Sequence, residues 1–245
     1  MQKNMQQLQD GVRYTGEWSG DIRHGRATQV WPDGKRYDGY FVNDRQKGFG
    51  RVIHANGDVY EGFWKNDKSN GKGTDFHANG SSYDGDWLND QHHGTGKQCY
   101  PDGSSYTGNY ELGKKKGHGL FEWQDGSSYD GEFINNKMHG NGTYIWNDNR
   151  RFTGNWKNNM MHGEGILTCD DGRVYEGNFI EDRKEGFGIF KWPNGSRYEG
   201  QWHLSKQHGK GAYTNSSGVV KKGTWRNGKR QGGWWARASG SESES

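Results

Sequence analysis

The same short pattern returns every 23 residues through nearly the whole chain. Tyr or Phe stands at 14, 37, 60, 83, 106, 129, 152, 175 and 198, without a slip in spacing. Two residues on comes Gly, and two further on another aromatic, as in Tyr83-x-Gly85-x-Trp87, Tyr106-x-Gly108-x-Tyr110 and Tyr129-x-Gly131-x-Phe133. A tenth, worn copy reads Lys221-Lys222-Gly223-Thr224-Trp225. A fixed period in the range of about 20–50 residues marks a repeat array. Each unit of such an array rests on its neighbours rather than on a compact core.

Within a repeat the period is two. The aromatic, the Gly and the second aromatic share one face of a strand, and polar residues such as Asp84 and Asp86 share the other. That alternation predicts a half-exposed strand. A polar loop of about six residues follows, Leu88–His93 in the fourth copy. A second strand then opens with Gly-x-Gly (Gly94 and Gly96, Gly140 and Gly142, Gly163 and Gly165) and runs to an aromatic such as Trp31, Tyr100, Trp123, Trp146 or Trp192. Asp-Gly or Asn-Gly comes next in most copies, and Asn149 takes the Gly place in one. That dipeptide between two strands is a strong hairpin signal. The expected fold is all-β, ten hairpins side by side in one elongated, twisted antiparallel sheet. Gly weakens a strand and needs a reason to recur. Here it leaves room for rings from neighbouring strands to lie flat on the backbone, so a chain with few aliphatics still buries large area.

Leu, Ile, Val and Phe together are only 31 of the 245 residues, a proportion that can signal disorder. Two facts oppose that reading: the formal net charge is only +3, and aromatics make up 14% of the chain. The glycines are not linker glycines, because 37 of the 42 fall on four fixed positions of the repeat. Cys99 and Cys169 lie three repeats apart. At about 10 Å per hairpin that separation is far beyond disulfide reach, and a reduced compartment is expected. No apolar run approaches the ~20 residues of a membrane span, so a soluble chain is expected. Met1–Gln9 lacks the apolar centre of a signal peptide. The weak positive charge is spread along the repeats and makes no case for nucleic acid.

The expected organisation is a lead strand in 1–13, the repeat array in 14–235, and a disordered Ser/Glu tail in 236–245. A histidine column (His24, His93, His139, His162, His208) invites a metal reading. Equivalent loops stand about 10 Å apart, however, whereas zinc ligands share one ion at ~2 Å. These histidines are therefore expected to make local hydrogen bonds, with no metal and no cofactor. The carboxylates recur on the polar face as solvated residues do, and no catalytic residue is expected. Lys114-Lys115-Lys116 is the densest basic run. An anionic lipid patch needs about four to eight gathered basic residues, so no membrane partner is expected. At the end of the array, Trp234 stands where nearly every other copy has Gly. Trp225, Trp234 and Trp235 are the candidate anchor for a partner or a second copy of the chain, because Trp is enriched at binding hot spots.

The combination Tyr-x-Gly-x-Trp, His-Gly-x-Gly and Asp-Gly at 23 residues resembles the MORN-repeat family. Met138-His139-Gly140-Asn141-Gly142 and Gln207-His208-Gly209-Lys210-Gly211 carry the resemblance closely. Its departures are local. Ala27 and Trp234 replace the second Gly of Gly-x-Gly, and Lys47, Asn70, Lys116, Glu185 and Gln231 replace the His. Lys221 replaces the leading Tyr, so the last copy is similar to a capping repeat. The resemblance implies a single-sheet fold and a non-enzymatic scaffold whose partners are protein subunits of a larger assembly. Uninterrupted arrays of this kind resemble the MORN proteins of ciliary radial-spoke heads. That implies a cytoplasmic, cytoskeletal place in the axoneme of a cilium or flagellum. The alternative it leaves open is a peripheral membrane or phosphoinositide-binding adaptor.

Overall fold

The computed structural model describes residues 5–231. They form 21 strands, all antiparallel, in open sheet that closes into no barrel. The only helical element among them is a single 3-10 turn at Gln9–Gly11. Two units can be distinguished among the described residues, 5–124 with 133–136, and 125–132 with 137–231. In the first, the short strand Gln6–Gln7 pairs with Arg13–Ser19, and five complete hairpins follow, the last joining Ser105–Glu111 to Lys114–Glu122. In the second, Lys137–Ile145 pairs with Arg151–Lys157, and four hairpins run to Val220–Arg226 and Lys229–Gln231.

The all-β class and the hairpins are as expected, but the two turns of each repeat exchange roles. The expected six-residue loop Leu88–His93 is a two-residue turn. Asn89 and Asp90 both take positive φ, 48° and 67°, and the return strand already begins at Gln91. Asn and Asp are the residues that tolerate this conformation, which is what a two-residue hairpin turn demands. At the Asp-Gly site only the Gly has positive φ, as at Gly103. There the Tyr100 N–H donates to the Ser104 carbonyl (2.9 Å) and Gly103 N–H to the Tyr100 carbonyl (3.0 Å). That is a three-residue loop, built on a type I turn with one left-handed residue. Asn149, at φ 64°, fills the same place without Gly.

The Gly columns differ in purpose. In the fifth hairpin Gly108 faces Gly119 across the strands. The Tyr106 ring, from the same strand as Gly108, lies over both; a Cβ on Gly119 would come within 2.5 Å of its ring carbons. The covering ring therefore belongs to the strand's own leading tyrosine and not, as expected, to a neighbouring strand. Beyond this pair the register slips. Tyr110 faces Lys115, so the return strand carries two more residues than its partner between the two pairs. Gly117, at φ +77°, sits in that bulge and gives its reversed backbone. The bulge also leaves the Asn109 carbonyl to accept from the Tyr106 hydroxyl at 3.0 Å. The same tyrosine-to-carbonyl bond recurs at Tyr14, Tyr37, Tyr60, Tyr83, Tyr129, Tyr175 and Tyr198. Phe152 packs in its column without it.

Three kinds of contact tie one repeat to the next. Within each unit the leading rings meet the second aromatic of their own repeat and that of the following one edge-on. In the first unit Tyr83 lies 5.3 Å from Trp87 and 5.3 Å from Tyr110, and Tyr106 lies 5.2 Å from Tyr110 and 5.1 Å from Phe133. In the second unit Tyr129 meets Trp156 at 5.4 Å, and Tyr175 meets Phe179 and Trp202, each at 5.1 Å. The Trp indoles reach back to the preceding repeat. Trp64, Trp87, Trp156 and Trp202 donate to the carbonyls of Gly50, Gly73, Gly142 and Gly188. Along the turn edge, the second residue of each two-residue turn docks on the bulge before it. Asp90 accepts from Ser69 N–H (2.7 Å) and returns its own N–H to the Ser69 carbonyl (3.1 Å). Asn136 does the same to Lys115 in the first unit, and Asp182 to Met161 in the second. Backbone groups freed by the bulge are thus satisfied by the neighbouring repeat.

A Cβ on Gly108 would lie 2.5 Å from the Gly119 Cα and 2.6 Å from the Tyr106 hydroxyl. Thr107, its exposed neighbour, faces the other way. Gly108→Val is expected to destabilise by roughly 2 kcal/mol or more, from displacement of that ring. Thr107→Val should change stability little. Chemical denaturation of the two variants checks this, and equal losses would contradict the packing.

Candidate docking face

The aromatic face is filled by packing. Of the residues singled out in the sequence, Tyr83, Trp87, Tyr106, Tyr110, Tyr129 and Phe133 are all buried in it, and Gly85, Gly108 and Gly131 lie beneath the tyrosine rings. Trp225 is buried as well, its ring edge-on to Tyr198 at 5.0 Å. Trp234 and Trp235 lie outside the described residues.

The opposite face carries what the sequence reading passed over. Tyr40, Phe49 and Phe63 alternate with charged residues on it and are about half exposed, with Phe49 and Phe63 5.7 Å apart and edge-on. Tyr40 and Phe49 border a groove of about 750 Å³ whose floor is Gly16, Gly39 and Gly50, and whose walls include Arg26, Asp38 and Arg51. Arg36 pairs with Asp38 (2.7 Å) and Arg51 with Glu61 (3.5 Å) beside it. In the second unit a groove of about 610 Å³ has the same build, floored by Gly154, Gly165 and Gly177 and lined by Ile166, Phe187 and Ile189. The cause is the Gly pairing itself: where both strands lack Cβ, the polar face is indented above them. Alternation in Phe49-Gly50-Arg51 and Phe187-Gly188-Ile189 is the signal that marked these residues as outward-facing apolar ones.

The histidine column behaves otherwise than expected. Nδ1 of His93, His139, His162 and His208 is buried with no hydrogen-bond partner. Backbone groups beside the bulge are already used by the next turn, as where Gly113 N–H donates to the His92 carbonyl. Among the described residues no group of three His, Cys, Asp or Glu is placed to hold a metal. The basic run is also spread out. Lys116 pairs with Glu111, while Lys115 turns onto the aromatic face and donates to the Tyr100 hydroxyl at 2.6 Å. Two of its three cations are engaged within the chain.

A polar cluster around Asp75 interrupts the aromatic face in the first unit. Asp75 occupies a position taken by Phe121 and Phe190 in other repeats and is buried. It accepts from Tyr83 N–H at 2.7 Å, and its other oxygen lies 3.2 Å from His77 Nε2. His77 Nδ1 lies 3.1 Å from Asp58, which also accepts from the Ala78 N–H at 2.8 Å. The Ala78 bond first, and then the His77 ring, pull the Asp58 carboxyl down to about 2. The Asp58 contact in turn raises His77.

A family model described as MORN repeat matches the chain at residues 14–36, 37–59, 60–81, 83–105, 106–128, 129–149, 152–172, 175–197, 198–220 and 222–232. No curated protein matches the sequence. Among solved structures, the chain is similar to the TCP10 domain of Danio rerio CPAP in complex with a peptide of Danio rerio STIL. The identity is 11% over 93% of this chain and 95% of that one, with a TM-score of 0.48. It is also similar to the SAS-4 (dCPAP) TCP domain of Drosophila melanogaster with a proline-rich motif of Ana2 (dSTIL). There the identity is 13% over 63% of this chain and 85% of that one, with a TM-score of 0.39.

The Asp58–His77 contact makes stability depend on pH. The raised His77 value stabilises in full below the ordinary histidine value of about 6.5, and this is lost as pH rises through the folded value. The lowered Asp58 value stabilises above its ordinary value of about 3.9, and this is lost as pH falls towards about 2. Both act between about pH 4 and 6.5. Melting temperatures of the wild type and His77→Gln should therefore differ most near pH 5 and converge towards pH 8. A pH-independent gap would contradict the pairing.

Proposed function

The chain belongs to the MORN-repeat family, and on that premise we propose that it is a non-enzymatic scaffold holding protein subunits of a larger assembly, in an axonemal complex such as the radial spoke head. The reading places it in the cytoskeleton of a cilium or flagellum. One observation carries the docking part of it: in each unit large apolar side chains stand exposed over a groove on the face that packing does not use, Tyr40 and Phe49 with Phe63 against Phe49 in the first, and Phe187 in the second. Large apolar side chains gathered on a surface and rimmed by charge are what protein partners bury. The aromatic face beneath supplies rigidity, because within each unit leading rings such as Tyr83, Tyr106 and Tyr175 are wedged between two others. The ciliary part rests on the resemblance of an uninterrupted array to radial-spoke-head proteins, and membership of the family supports it only at the level of a scaffold.

Affinity purification of the tagged chain from ciliated cells, read by mass spectrometry, tests both parts. Axonemal subunits are expected among the proteins recovered. Their recovery should fall about tenfold with Phe49→Glu combined with Phe63→Glu, as for loss of a hot spot, while the melting temperature holds. Recovery of no axonemal subunit would overturn the ciliary assignment. Undiminished recovery by the double variant would overturn the outer face as the docking face.

A further inference from the structure

The residue opposite the second aromatic of each hairpin turns onto the aromatic face. It is Arg23 opposite Trp18, Ser69 opposite Trp64, Lys115 opposite Tyr110 and Lys184 opposite Phe179. Where it is lysine, the chain builds a socket for the ammonium. Lys184 Nζ lies 4.8 Å from the Tyr175 ring, 4.7 Å from Phe190 and 5.3 Å from Trp202. Lys115 Nζ lies 5.1 Å from the Tyr106 ring and 5.4 Å from Phe121, with Tyr100 completing the set at 5.2 Å. These are cation–π distances, and the stem of each lysine packs along the same rings.

Five periods before Lys184 the same socket recurs without its cation. Lys184 becomes Ser69, and Tyr175, Phe190 and Trp202 become Tyr60, Asp75 and Trp87. The framework is kept. Tyr60 stands edge-on to Trp64 and to Trp87, both at 5.1 Å, and the two indoles are fixed by their bonds to Gly50 and Gly73. Ser69 is short and is held back by Asp90, which its hydroxyl meets at 3.0 Å. A cavity of about 430 Å³ is left among these residues, bordered by the carboxylates of Asp58, Asp67, Asp75 and Asp90. Three cationic or ionisable side chains, Lys35, His54 and His77, share its border. Lys35 is held over the Trp31 ring at 4.7 Å, and His77 bridges Asp58 and Asp75. Asp75 is the telling exchange: where the filled socket has Phe190, the empty one has a buried carboxylate. A negative charge beside aromatic faces and away from water attracts a cation more strongly than the rings alone.

We propose that the cavity walled by Tyr60, Trp64 and Trp87 and floored by Asp75 is a docking socket for a lysine side chain of a partner protein. The two filled sockets identify the occupant, since each takes a whole lysine side chain, stem and ammonium together. The proposal rests on the scaffold reading and gives it one defined point of attachment on the face otherwise filled by packing.

The test uses the full chain and the peptide acetyl-Gly-Lys-Gly-amide, with its norleucine counterpart as the neutral match in shape. Binding is read by NMR at the indole N–H signals of Trp64 and Trp87. Saturable shifts of both are expected with the lysine peptide, with affinity at least about tenfold weaker for norleucine. Asp75→Asn, close to isosteric, should weaken lysine binding about tenfold. Ser69→Lys, which supplies the chain's own ammonium as at 115 and 184, should abolish it and leave the remaining indole signals in place. Equal binding of the two peptides, or undiminished binding by Ser69→Lys, would overturn the socket. Failure here while the chain still recovers its subunits from cells would sink this site alone. Failure of that recovery with lysine binding intact would sink the scaffold reading instead.

Discussion

A tyrosine ring laid over two facing glycines is the contact from which the other features of this sheet follow. It requires that neither strand carry a Cβ at the crossing, which explains Gly at both Gly108 and Gly119 and their equivalents. With the ring occupying that space, its hydroxyl must find a partner, and the bulge presents a carbonyl three residues on. The bulge in turn frees backbone groups on the return strand, and the turn of the following hairpin takes them up. One packing decision therefore generates the glycine columns, the left-handed glycine of the bulge and the Asn or Asp of the next turn.

The same decision divides the labour between the faces. Rings wedged edge-to-face within each unit leave the aromatic face little to offer a partner, and each buried aromatic contributes on the order of 1.5–3 kcal/mol by burial. The glycine pairs indent the other face, and there Tyr40, Phe49, Phe63 and Phe187 are free to meet another protein. The proposed docking socket on the aromatic face arises where a column is broken. Ser69 and Asp75 are two such breaks in one repeat, and they open a cavity where sister repeats hold a lysine.

The periodic part of this architecture was legible in the chain, because each column repeats one physical demand nine or ten times. Tyr, Gly and the second aromatic declared the strand, its buried face and its hairpin partner. The turn chemistry misled in detail. Asn89-Asp90 supplies two positive-φ residues as Asp-Gly does, and no feature of Leu88–His93 shows that its last three residues belong to the return strand. The bulge was hidden for the same reason, since Gly94 and Gly96 look alike as letters while one turns the backbone and the other clears space for a ring. The histidine column suggested hydrogen bonds that the buried Nδ1 atoms do not make. The socket was least legible. Ser69 and Asp75 are ordinary polar residues on their own, and their meaning comes from what Lys184 and Phe190 do in an equivalent place.

The central claim is that leading rings couple neighbouring repeats through edge-to-face contact. A double-mutant cycle on Tyr106 and Phe133, whose centroids lie 5.1 Å apart in consecutive repeats, tests it most directly. The measured quantities are the unfolding free energies of Tyr106→Leu, Phe133→Leu and the double variant. The account predicts a coupling energy of about 0.5–1.5 kcal/mol between the two rings. Additive losses, with coupling near zero, would contradict it.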